Sequence, residues 1–517
     1  MQHTEKMEVK LKMTCYNEGF FEIIKSCAEK HPEKTALIHE SRRETYSQLL
    51  KNTGKLAAAL LKMGVQPGDR LAIISRNCIE YIEAEFAAYR IGAVVVKINW
   101  RMTADEIKFI IESNNVSLAF VQNGIKSTAA ELTRAVPGLR TVELSDSGEF
   151  EKLKSEADEF TDCEVDPDST ALIVHTSGTT GRPKFVSYTH RDLLEKVKLG
   201  VAVLPFTEHT RFMLIEQLFH IACMRAYMTL GGGGTLILQC HFDPEEYLDT
   251  LVREHVNSVG MTPSVLKMLM DYPRLNDYDL HELEYMNYST SAMPYPLIKE
   301  AIRRLNCGLY QIYGMTEMLG FVTVLTPEDH LSGHAGSVGR PAPGYEIKTV
   351  HCDGSMCSTG ETGEVLIRGP VMMRGYLGNH ELSGEVLQDG WYHSKDLGFI
   401  DESGYLHICV RKDDMIISGG ENIYPKEVSD VLYRLKDDIS EAAVYGLPDP
   451  IWGQKVWASV VLKPDSQMTC EKLREYCKKN IANYKVPKGF DFRTELPRTA
   501  TGKIDVKKLA AEQTAKR

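Results

Sequence analysis

Hydroxyl, glycine and lysine residues are concentrated in one short segment, TSGTTGRPK at 176–184. Glycines permit a close backbone approach to a ligand, and consecutive backbone N–H groups in such a turn form a concave anion site. Hydroxyls donate hydrogen bonds to phosphate oxygens, and a lysine adds a positive charge. No glycine directly precedes the lysine, so the segment differs from the GxxxxGK[ST] loop. The composition predicts a phosphate-binding loop made of Thr176, Ser177, Gly178, Thr179, Thr180, Gly181 and Lys184.

A second segment, QIYGMTE at 311–317, combines an aromatic residue, a hydroxyl and a carboxylate. Tyr313 offers a flat apolar face, Thr316 a hydrogen-bond donor, and Glu317 a hard oxygen ligand of the kind that Mg²⁺ prefers. In isolation such a segment could be a simple strand and turn. Its position after the phosphate loop favours a nucleotide site.

Two further segments follow towards the C-terminus. WYHSKDLG at 391–398 contains Asp396, whose carboxylate can accept two hydrogen bonds, and PRTATGK at 497–503 sets Lys503 after a glycine turn. In this order the segments resemble the motifs of the adenylate-forming superfamily, in its acyl-CoA synthetase and AMP-dependent ligase branch. The resemblance covers nearly the whole chain. It implies that a carboxylic acid reacts with ATP to give an acyl-adenylate and pyrophosphate, and that a thiol then displaces AMP.

The resemblance also implies roles for individual residues. Asp396 and Arg411 would hold the ribose, and Asp413 would be the hinge of a mobile C-terminal lobe. The implied metal ligand is Glu317, for Mg²⁺. The implied catalytic residues are Lys503, Thr316, Glu317 and His220. The implied ATP- and AMP-binding residues are those of the phosphate loop with Gln311, Tyr313, Gly314, Thr316, Asp396, Arg411 and Lys503. The implied loop on the coenzyme A side is Ser418, Gly419, Gly420 and Glu421. The family usually has glycine where this chain has Val410, which stiffens the approach to the hinge.

The acid-binding side is less well defined by sequence. QLFH at 217–220 resembles the segment that presents His220 beside the acyl group, although a lone histidine could equally be structural. The family's usual glycine-rich turn is replaced by STSAMP at 289–294, which includes Ser291 and Ala292. Ile312 is β-branched and fills volume where long-chain members often have glycine. The predicted acyl-pocket residues are His220, Ser291, Ala292 and Ile312. Ile312 favours a shorter or narrower pocket, although it could equally be ordinary core packing. The expected substrate is a medium-chain fatty, branched or aromatic acid.

The predicted thiol is that of coenzyme A, because the spacing between Tyr345 and Gly375 is compact and lacks the insertion seen in ligases that serve carrier proteins. Two alternatives remain open at this point. One is an adenylating enzyme that loads a separate carrier protein, and the other is a nucleotide-binding module without catalysis. The expected partners are the carboxylic acid, ATP and coenzyme A, with a homodimer possible.

The elements that must position these residues alternate along the chain. Apolar residues at helical spacing predict a helix at 47–61, and short apolar runs predict strands at 70–75, 93–98, 116–121 and 172–175. Alternating strands and helices imply sheets with helices on their faces. We therefore expect an α/β fold. A large N-terminal AMP-binding domain, residues 1–410, contains mixed sheets flanked by helices and a small barrel-like β subdomain. A small mobile α+β domain, residues 411–517, carries the lysine.

Composition excludes other classes of protein. The chain has 517 residues, 43% of them hydrophobic, and a formal net charge of −11. An acidic chain does not favour sequence-independent nucleic-acid binding, which rests on basic patches. No apolar run approaches the ~18 residues of a membrane span, and the polar N-terminus lacks the apolar core of an export signal. We expect a cytoplasmic protein.

Overall fold

Two sheets of mainly parallel strands form the larger part of the protein. The computed structural model describes residues 19–158, 160–176, 183–221, 223–289, 293–418, 421–499 and 503–516. The first sheet has the strand order β6-β5-β3-β4-β7-β8, and only β8 is antiparallel to its neighbour. Its strands are β3 (Arg70–Ile74), β4 (Val94–Lys97), β5 (Val116–Gln122), β6 (Arg140–Leu144), β7 (Thr170–Thr176) and β8 (Lys184–Thr189).

The second sheet has nine strands in the order β15-β14-β13-β12-β11-β9-β10-β1-β2, with antiparallel strands at both ends. They are β1 (Thr35–His39), β2 (Arg42–Thr45), β9 (Arg211–Leu214), β10 (Thr235–Leu238), β11 (Ser258–Met261), β12 (Tyr285–Tyr288), β13 (Gly308–Met315), β14 (Gly320–Leu325) and β15 (Arg340–Pro341). This sheet carries the residues of the second predicted nucleotide segment on β13.

Helices cover both sheets, and several begin where a side chain caps the first turn. Thr45 caps α2 in a reciprocal pair with Gln48, as Thr103 caps α4 with Glu106. The helices are α1 (Glu22–Lys30), α2 (Tyr46–Lys62), α3 (Ile79–Arg90), α4 (Ala104–Ser113), α5 (Ala129–Ala135), α6 (Glu149–Ser155), α7 (His190–Val203), α8 (Cys223–Gly231), α9 (Pro244–Arg253), α10 (Pro263–Met270), α11 (Tyr295–Leu305) and α12 (Pro327–Leu331).

The main core lies between the two sheets. Every residue of α3 and of α8 is buried, so neither helix presents a polar face to water. The hydroxyls of Tyr89 on α3 and Tyr227 on α8 lie 2.9 Å apart and join the two helices. This packing fixes α8, which lies directly after the predicted acyl-pocket histidine.

Two smaller sheets complete the described chain. The third is antiparallel, with the order β16-β17-β19-β18 and β20 beside β19. It contains β16 (Glu346–Val350), β17 (Gly363–Arg368), α13 (His380–Val386), β18 (Leu387–Gln388), β19 (Trp391–Ile400) and β20 (Leu406–Arg411). The fourth contains β21 (Ile416–Ser418), β22 (Glu421–Ile423), α14 (Pro425–Tyr433), β23 (Ile439–Asp449), β24 (Gly453–Leu462), α15 (Cys470–Asn480), β25 (Gly489–Arg493) and α16 (Val506–Ala515).

The predicted fold class is confirmed. The larger part has mixed sheets with flanking helices, and a separate sheet with its own helices lies near the C-terminus. The change from the third sheet to the fourth falls between Arg411 and Ile416. The domain limits 1–410 and 411–517 stay a prediction. Within the described residues, no helix combines the length and the apolar character needed to cross a bilayer.

Candidate active site

Strands β7 and β8 hold the two ends of the predicted phosphate loop. Thr176 and Lys184 face each other as an antiparallel pair, so the ends of the segment lie side by side. The Nζ atom of Lys184 lies 5.1 Å from the ring centroid of Tyr376, a cation–π distance. The remaining predicted loop residues lie outside the described residues: Ser177, Gly178, Thr179, Thr180 and Gly181.

The turn Thr316–Met318 follows β13 and is held by a tyrosine from β8. The hydroxyl of Tyr188 accepts a hydrogen bond from the backbone N–H of Leu319 at 3.0 Å and donates one to the backbone carbonyl of Thr316. Burial raises the pKa of Tyr188 well above its ordinary value, so the hydroxyl stays a neutral donor. These two hydrogen bonds hold the backbone of Thr316 and Glu317 in place.

Glu317 has the surroundings of a metal ligand. Its side chain is buried, and one carboxylate oxygen accepts a hydrogen bond from the Tyr376 hydroxyl at 2.7 Å. A carboxylate oriented by a hydrogen bond suits Mg²⁺, which prefers hard oxygen ligands and binds through one or two carboxylates together with substrate phosphates. The residues therefore fit the implied ion. Tyr376 also contacts Lys184, so one ring joins the end of the predicted phosphate loop to the carboxylate predicted to bind the metal.

Strand β13 requires glycine at position 314. The pairing with β14 shifts register between Tyr313 and Gly314, and a Cβ at Gly314 would lie 1.9 Å from the carbonyl oxygen of Gly320. No side chain fits that distance, so glycine lets the two strands approach. Gln311 is buried on the same strand and accepts a hydrogen bond from the Tyr288 hydroxyl at 2.9 Å.

Asp396 is bound from two sides. Its Oδ2 accepts a hydrogen bond from the Tyr313 hydroxyl at 2.6 Å, and its Oδ1 lies 2.9 Å from Nε of Arg411. Arg411 faces Asp396 across the β19–β20 pair. The carboxylate raises the pKa of Arg411, and burial raises the pKa of Tyr313 well above its ordinary value. Three predicted nucleotide-binding residues from three strands thus form one cluster.

Lys503 lies near the same cluster, within reach of the charges of Arg411, Asp396 and Asp414. The bridge between Arg498 and Ile504, with the Thr499 N–H donating to the Lys503 carbonyl at 2.7 Å, folds this segment back on itself. Arg498 donates a hydrogen bond to Ser264 at the start of α10 and pairs with Glu441 on β23, which joins the fourth sheet to helix α10.

The charges that act on Lys503 come from the predicted nucleotide-binding cluster. Its side chain is open to solvent, but protein atoms around it exclude part of its hydration, and this desolvation lowers its pKa. The positive charge of Arg411 lowers the pKa further, whereas Asp396 and Asp414 oppose the shift. Lys503 therefore lies within electrostatic reach of the predicted ribose-binding pair.

His220, the residue predicted beside the acyl group, lies within electrostatic reach of Lys503. Burial lowers its pKa to about 4, and the positive charges of Lys503, His175 and Arg225 act in the same direction. The imidazole is therefore neutral at pH 7. Ile312 lies partly buried on β13, packed against the main core. Ser291 and Ala292 lie outside the described residues.

The predicted hinge and the coenzyme A loop follow β20. Asp413 lies in the short turn Lys412–Asp414. Ser418 and Glu421 face each other as the last pair of the β21–β22 hairpin, and Ser418 is buried. Gly419 and Gly420, between them, lie outside the described residues.

Tyr376 and Tyr188 are site residues that the sequence analysis does not single out. The sequence around each of them does not indicate its partner, so only the three-dimensional contacts with Glu317 and Thr316 identify them. The segment RGY at 374–376 does not by itself indicate any function for Tyr376.

Comparison with known proteins agrees with this geometry. The family model of AMP-binding enzymes matches residues 24–377, and the model of the AMP-binding enzyme C-terminal domain matches residues 427–503. Feruloyl-CoA synthase of an Amycolatopsis species is 35% identical over 481 residues, covering 92% of this chain and 95% of that protein.

Two solved structures are similar along the chain. The anthranilate CoA ligase AuaEII in complex with anthranoyl-AMP has a TM-score of 0.91 and 25% identity, covering 98% of this chain and 99% of that one. The o-succinylbenzoate coenzyme A synthetase MenE of Bacillus subtilis, in complex with ATP and magnesium, has a TM-score of 0.82 and 29% identity, covering 93% and 98%.

The fold and the site define an adenylate-forming enzyme. The chain belongs to the family of AMP-binding enzymes. The predicted activity of an AMP-forming acid–thiol ligase that uses ATP, Mg²⁺ and coenzyme A is confirmed.

Proposed function

We propose that this ligase forms its acyl-adenylate in the cleft between Glu317, Asp396 and Lys503, and that its acid is aromatic. The observation that carries the site assignment is the position of Lys503. An ammonium from the last residues of the chain lies among the charges of Arg411, Asp396 and Asp414, beside the neutral His220. The aromatic choice, among the medium-chain fatty, branched and aromatic acids that the sequence predicts, is favoured by relatives that act on feruloyl and anthraniloyl groups.

Each nucleotide contact follows from the chemistry of the cluster. Asp396 accepts hydrogen bonds from the ribose hydroxyls while Arg411 and Tyr313 hold its carboxylate in place. The Tyr313 ring gives adenine an apolar face, with Gln311 and Gly314 on the same strand. The phosphates are held by Thr176, Lys184 and the five other predicted loop residues, Ser177, Gly178, Thr179, Thr180 and Gly181. Glu317 would hold Mg²⁺, which neutralises phosphate charge when bound.

Catalysis of the first step is mainly positioning and charge neutralisation. The acid's carboxylate attacks the α-phosphate, a bond from oxygen to phosphorus forms, and pyrophosphate leaves. Thr316 donates to the α-phosphate. An ammonium about 4 Å from a phosphate oxygen is worth roughly 4 kcal/mol at an effective dielectric constant near 20. A donor placed where charge develops contributes about 10²–10³ in rate.

His220 orients the acid without competing with Lys503. Because its imidazole is neutral at pH 7, it can donate one hydrogen bond to the acid's carboxylate without adding a second cation to the site. Ile312 narrows the acyl pocket from β13, and Ser291 and Ala292 are its other predicted residues.

Thioester formation requires the small unit to turn. Asp413 is the pivot, in the short turn that directly follows the last strand of the third sheet. Lys503 then leaves the cleft, and the loop Ser418–Glu421 comes beside the entering coenzyme A. The thiol attacks the acyl carbonyl, the bond to AMP breaks, and AMP leaves.

The location and assembly of the enzyme are part of the proposal. Among the described residues, every cysteine is free, which suits a reducing compartment such as the cytoplasm. The homodimer stays a prediction from the family resemblance, and sedimentation equilibrium tests it.

The experiment that tests the function uses the full chain with ATP, Mg²⁺ and a panel of aromatic, branched and medium-chain acids. Pyrophosphate release without a thiol acceptor reports adenylation, and AMP release on adding coenzyme A reports thioester formation. We expect both with aromatic acids. Adenylation without coenzyme A-dependent AMP release, but with transfer to a pantetheinylated carrier protein, would instead support carrier loading. Nucleotide binding without pyrophosphate release for any acid would support a non-catalytic module.

A further inference from the structure

Behind His220, helix α8 places an arginine between two polar side chains. Nη1 of Arg225 lies 2.9 Å from Oε1 of Glu216, and Nη2 donates a hydrogen bond to the Ser289 hydroxyl at 2.9 Å. The Arg225 and Glu216 side chains are only 7% and 12% exposed. A charged pair buried this deeply is costly, and an apolar pair of similar volume would serve packing at least as well.

The neighbouring strands leave room for this pair. A Cβ at Gly260 on β11 would lie 2.6 Å from a carboxylate oxygen of Glu216, so glycine admits the carboxylate against the sheet. Asn287 on β12 is the direct partner of Gly260 in the parallel register. The Asn287 side chain is 1% exposed and, by the alternation of a strand, lies on the same face as Ser289.

Several polar atoms of this group have no hydrogen-bond partner among the described residues. They are Nε of Arg225, Oε2 of Glu216, and both Oδ1 and Nδ2 of Asn287. Buried polar atoms in proteins are almost always hydrogen-bonded, so a cluster of four open positions points to a bound group. The set includes both donors and acceptors.

Sequence, charge and strand register connect the cluster with the predicted acid site. Ser289 directly precedes residues 290–292 in sequence, and these include the predicted acyl-pocket residues Ser291 and Ala292. The charge of Arg225 is felt at His220, whose pKa it lowers. Asn287 pairs with Tyr310 on β13. Ile312 comes two residues after Tyr310 on the same strand, so Tyr310 and Ile312 lie on one face of it.

We propose that Arg225, Glu216 and Asn287 form a polar subsite for the distal end of the acyl group, and that the acid carries a neutral hydrogen-bonding substituent such as a hydroxyl, amino or carboxamide group. The substituent is neutral because Glu216 already compensates the charge of Arg225. This inference rests on the proposed function, since it concerns the acid of the same site.

The expected selectivity follows from the open hydrogen-bond positions. A hydrocarbon chain placed against them leaves each donor and acceptor unpaired, whereas a hydroxyl or amide satisfies two or more. Sites built to bind a substrate hydroxyl reject the analogue that lacks it by as much as about 10⁴–10⁵-fold. We expect a preference of at least about tenfold for the polar member of a matched pair of acids.

The test compares matched acids: 3-phenylpropanoate with its 4-hydroxyphenyl analogue, and cinnamate with its 4-hydroxy and 4-carboxamide analogues. Two readouts are taken with the full chain. Equilibrium binding in the presence of AMP is measured by calorimetry, and kcat/KM is measured by pyrophosphate release. Both are independent of coenzyme A, so a failure of thioester formation alone would count against the proposed function and leave the subsite result standing.

Variants separate recognition from structure. Asn287→Leu keeps the size of the side chain and removes its hydrogen bonds, and we expect the polar preference to fall at least about fivefold, through weaker binding of the polar acid alone. Ser258→Ala is the control, because Ser258 on β11 is buried two residues before Gly260 and its hydroxyl has no hydrogen-bond partner among the residues that the structure describes. It should leave the preference unchanged.

A double change, Arg225→Leu with Glu216→Leu, removes the charged pair without leaving one charge uncompensated. It should also abolish the preference. Three results would each overturn the subsite: equal binding of both members of every pair, preference for the plain acid, or an equal loss for both acids in Asn287→Leu. Equal binding would also indicate that ordered water already fills the open positions.

Discussion

At the scale of single residues, the protonation of Lys503 should set the alkaline limit of adenylation. Desolvation and the charge of Arg411 lower its pKa below the ordinary 10.5. The ammonium is therefore lost as pH rises through a value below 10.5, and kcat/KM, which reports the free enzyme, should fall there. We expect Lys503→Arg to retain charge and move this fall to higher pH, measured by pyrophosphate release from pH 7 to 10.5.

The lowered pKa of Lys503 also predicts how the free energy of unfolding responds when this lysine is replaced. Because the folded state depresses the pKa of Lys503, the charged form is disfavoured in the native state at pH 7, so Lys503→Met should not lower the free energy of unfolding. If kcat/KM of Lys503→Arg falls at the same alkaline pH as that of the wild type, the Lys503 ammonium does not set the alkaline limit of adenylation.

The Tyr376 hydroxyl should tune the metal site. Tyr376→Phe removes the hydrogen bond that orients the Glu317 carboxylate, and loss of such an outer partner typically costs about 10–100-fold in metal affinity. We expect the Mg²⁺ concentration for half-maximal adenylation to rise by that factor. Tyr405→Phe is the matched control, because Tyr405 donates to Asp329 at 2.6 Å in an equivalent pair on other elements. A similar rise in both variants would point to a general structural effect.

Residue types explain which site residues could be found from sequence. Asp396, Glu317 and Lys503 lie in short segments whose hydroxyls, glycines and charges indicate their chemistry. Tyr376, Tyr188 and Arg225 act through partners more than fifty residues away in sequence, such as Glu317, Thr316 and Ser289. No local pattern encodes such a partner, so these residues required the structure.

At the scale of elements, the close approach of β13 and β14 should be intolerant of any side chain. In Gly314→Ala the new Cβ would lie 1.9 Å from the carbonyl oxygen of Gly320. This oxygen belongs to the backbone of β14, so it cannot move away by a change of rotamer as a side chain could. Overpacking costs typically about 1–3 kcal/mol, and we expect the upper end of that range. Because the turn Thr316–Met318 follows directly, adenylation should fall at least about a hundredfold.

Urea unfolding and pyrophosphate release measure the two effects. Gly336→Ala is the control, because a Cβ there meets nothing within 4 Å and the backbone needs no positive φ. Wild-type activity in Gly314→Ala would show that the register shift is not needed to place Thr316 and Glu317.

Local elements were predictable where periodicity and caps agree. The predicted helix at 47–61 is α2, Tyr46–Lys62, whose start is set by the Thr45–Gln48 capping pair. The order of strands was not predictable. In the second sheet β1 pairs with β10, so Leu37 lies beside Leu236, and no local pattern specifies a partner at such a distance.

At the scale of the whole molecule, two substitutions should separate the half-reactions. Lys503→Ala removes a charge needed only while the lysine lies in the cleft, so adenylation should fall about 10²–10³-fold while thioester formation from supplied acyl-adenylate is largely spared. Asp413→Pro should instead slow thioester formation and largely spare adenylation. Proline fixes φ and disfavours the helical conformation of Lys412 before it, which stiffens the turn Lys412–Asp414.

Both variants are compared with Asp413→Ala, which changes the side chain but leaves the backbone free to rotate. Single-turnover assays follow pyrophosphate from ATP and acid, and thioester from synthetic acyl-adenylate with coenzyme A, after thermal unfolding has shown that each variant is folded. The opposite pattern in the two variants requires that Lys503 and the pivot serve different orientations of the same small unit. Equal losses in both half-reactions for Lys503→Ala, or unimpaired thioester formation in Asp413→Pro, would mean that one fixed arrangement performs both steps.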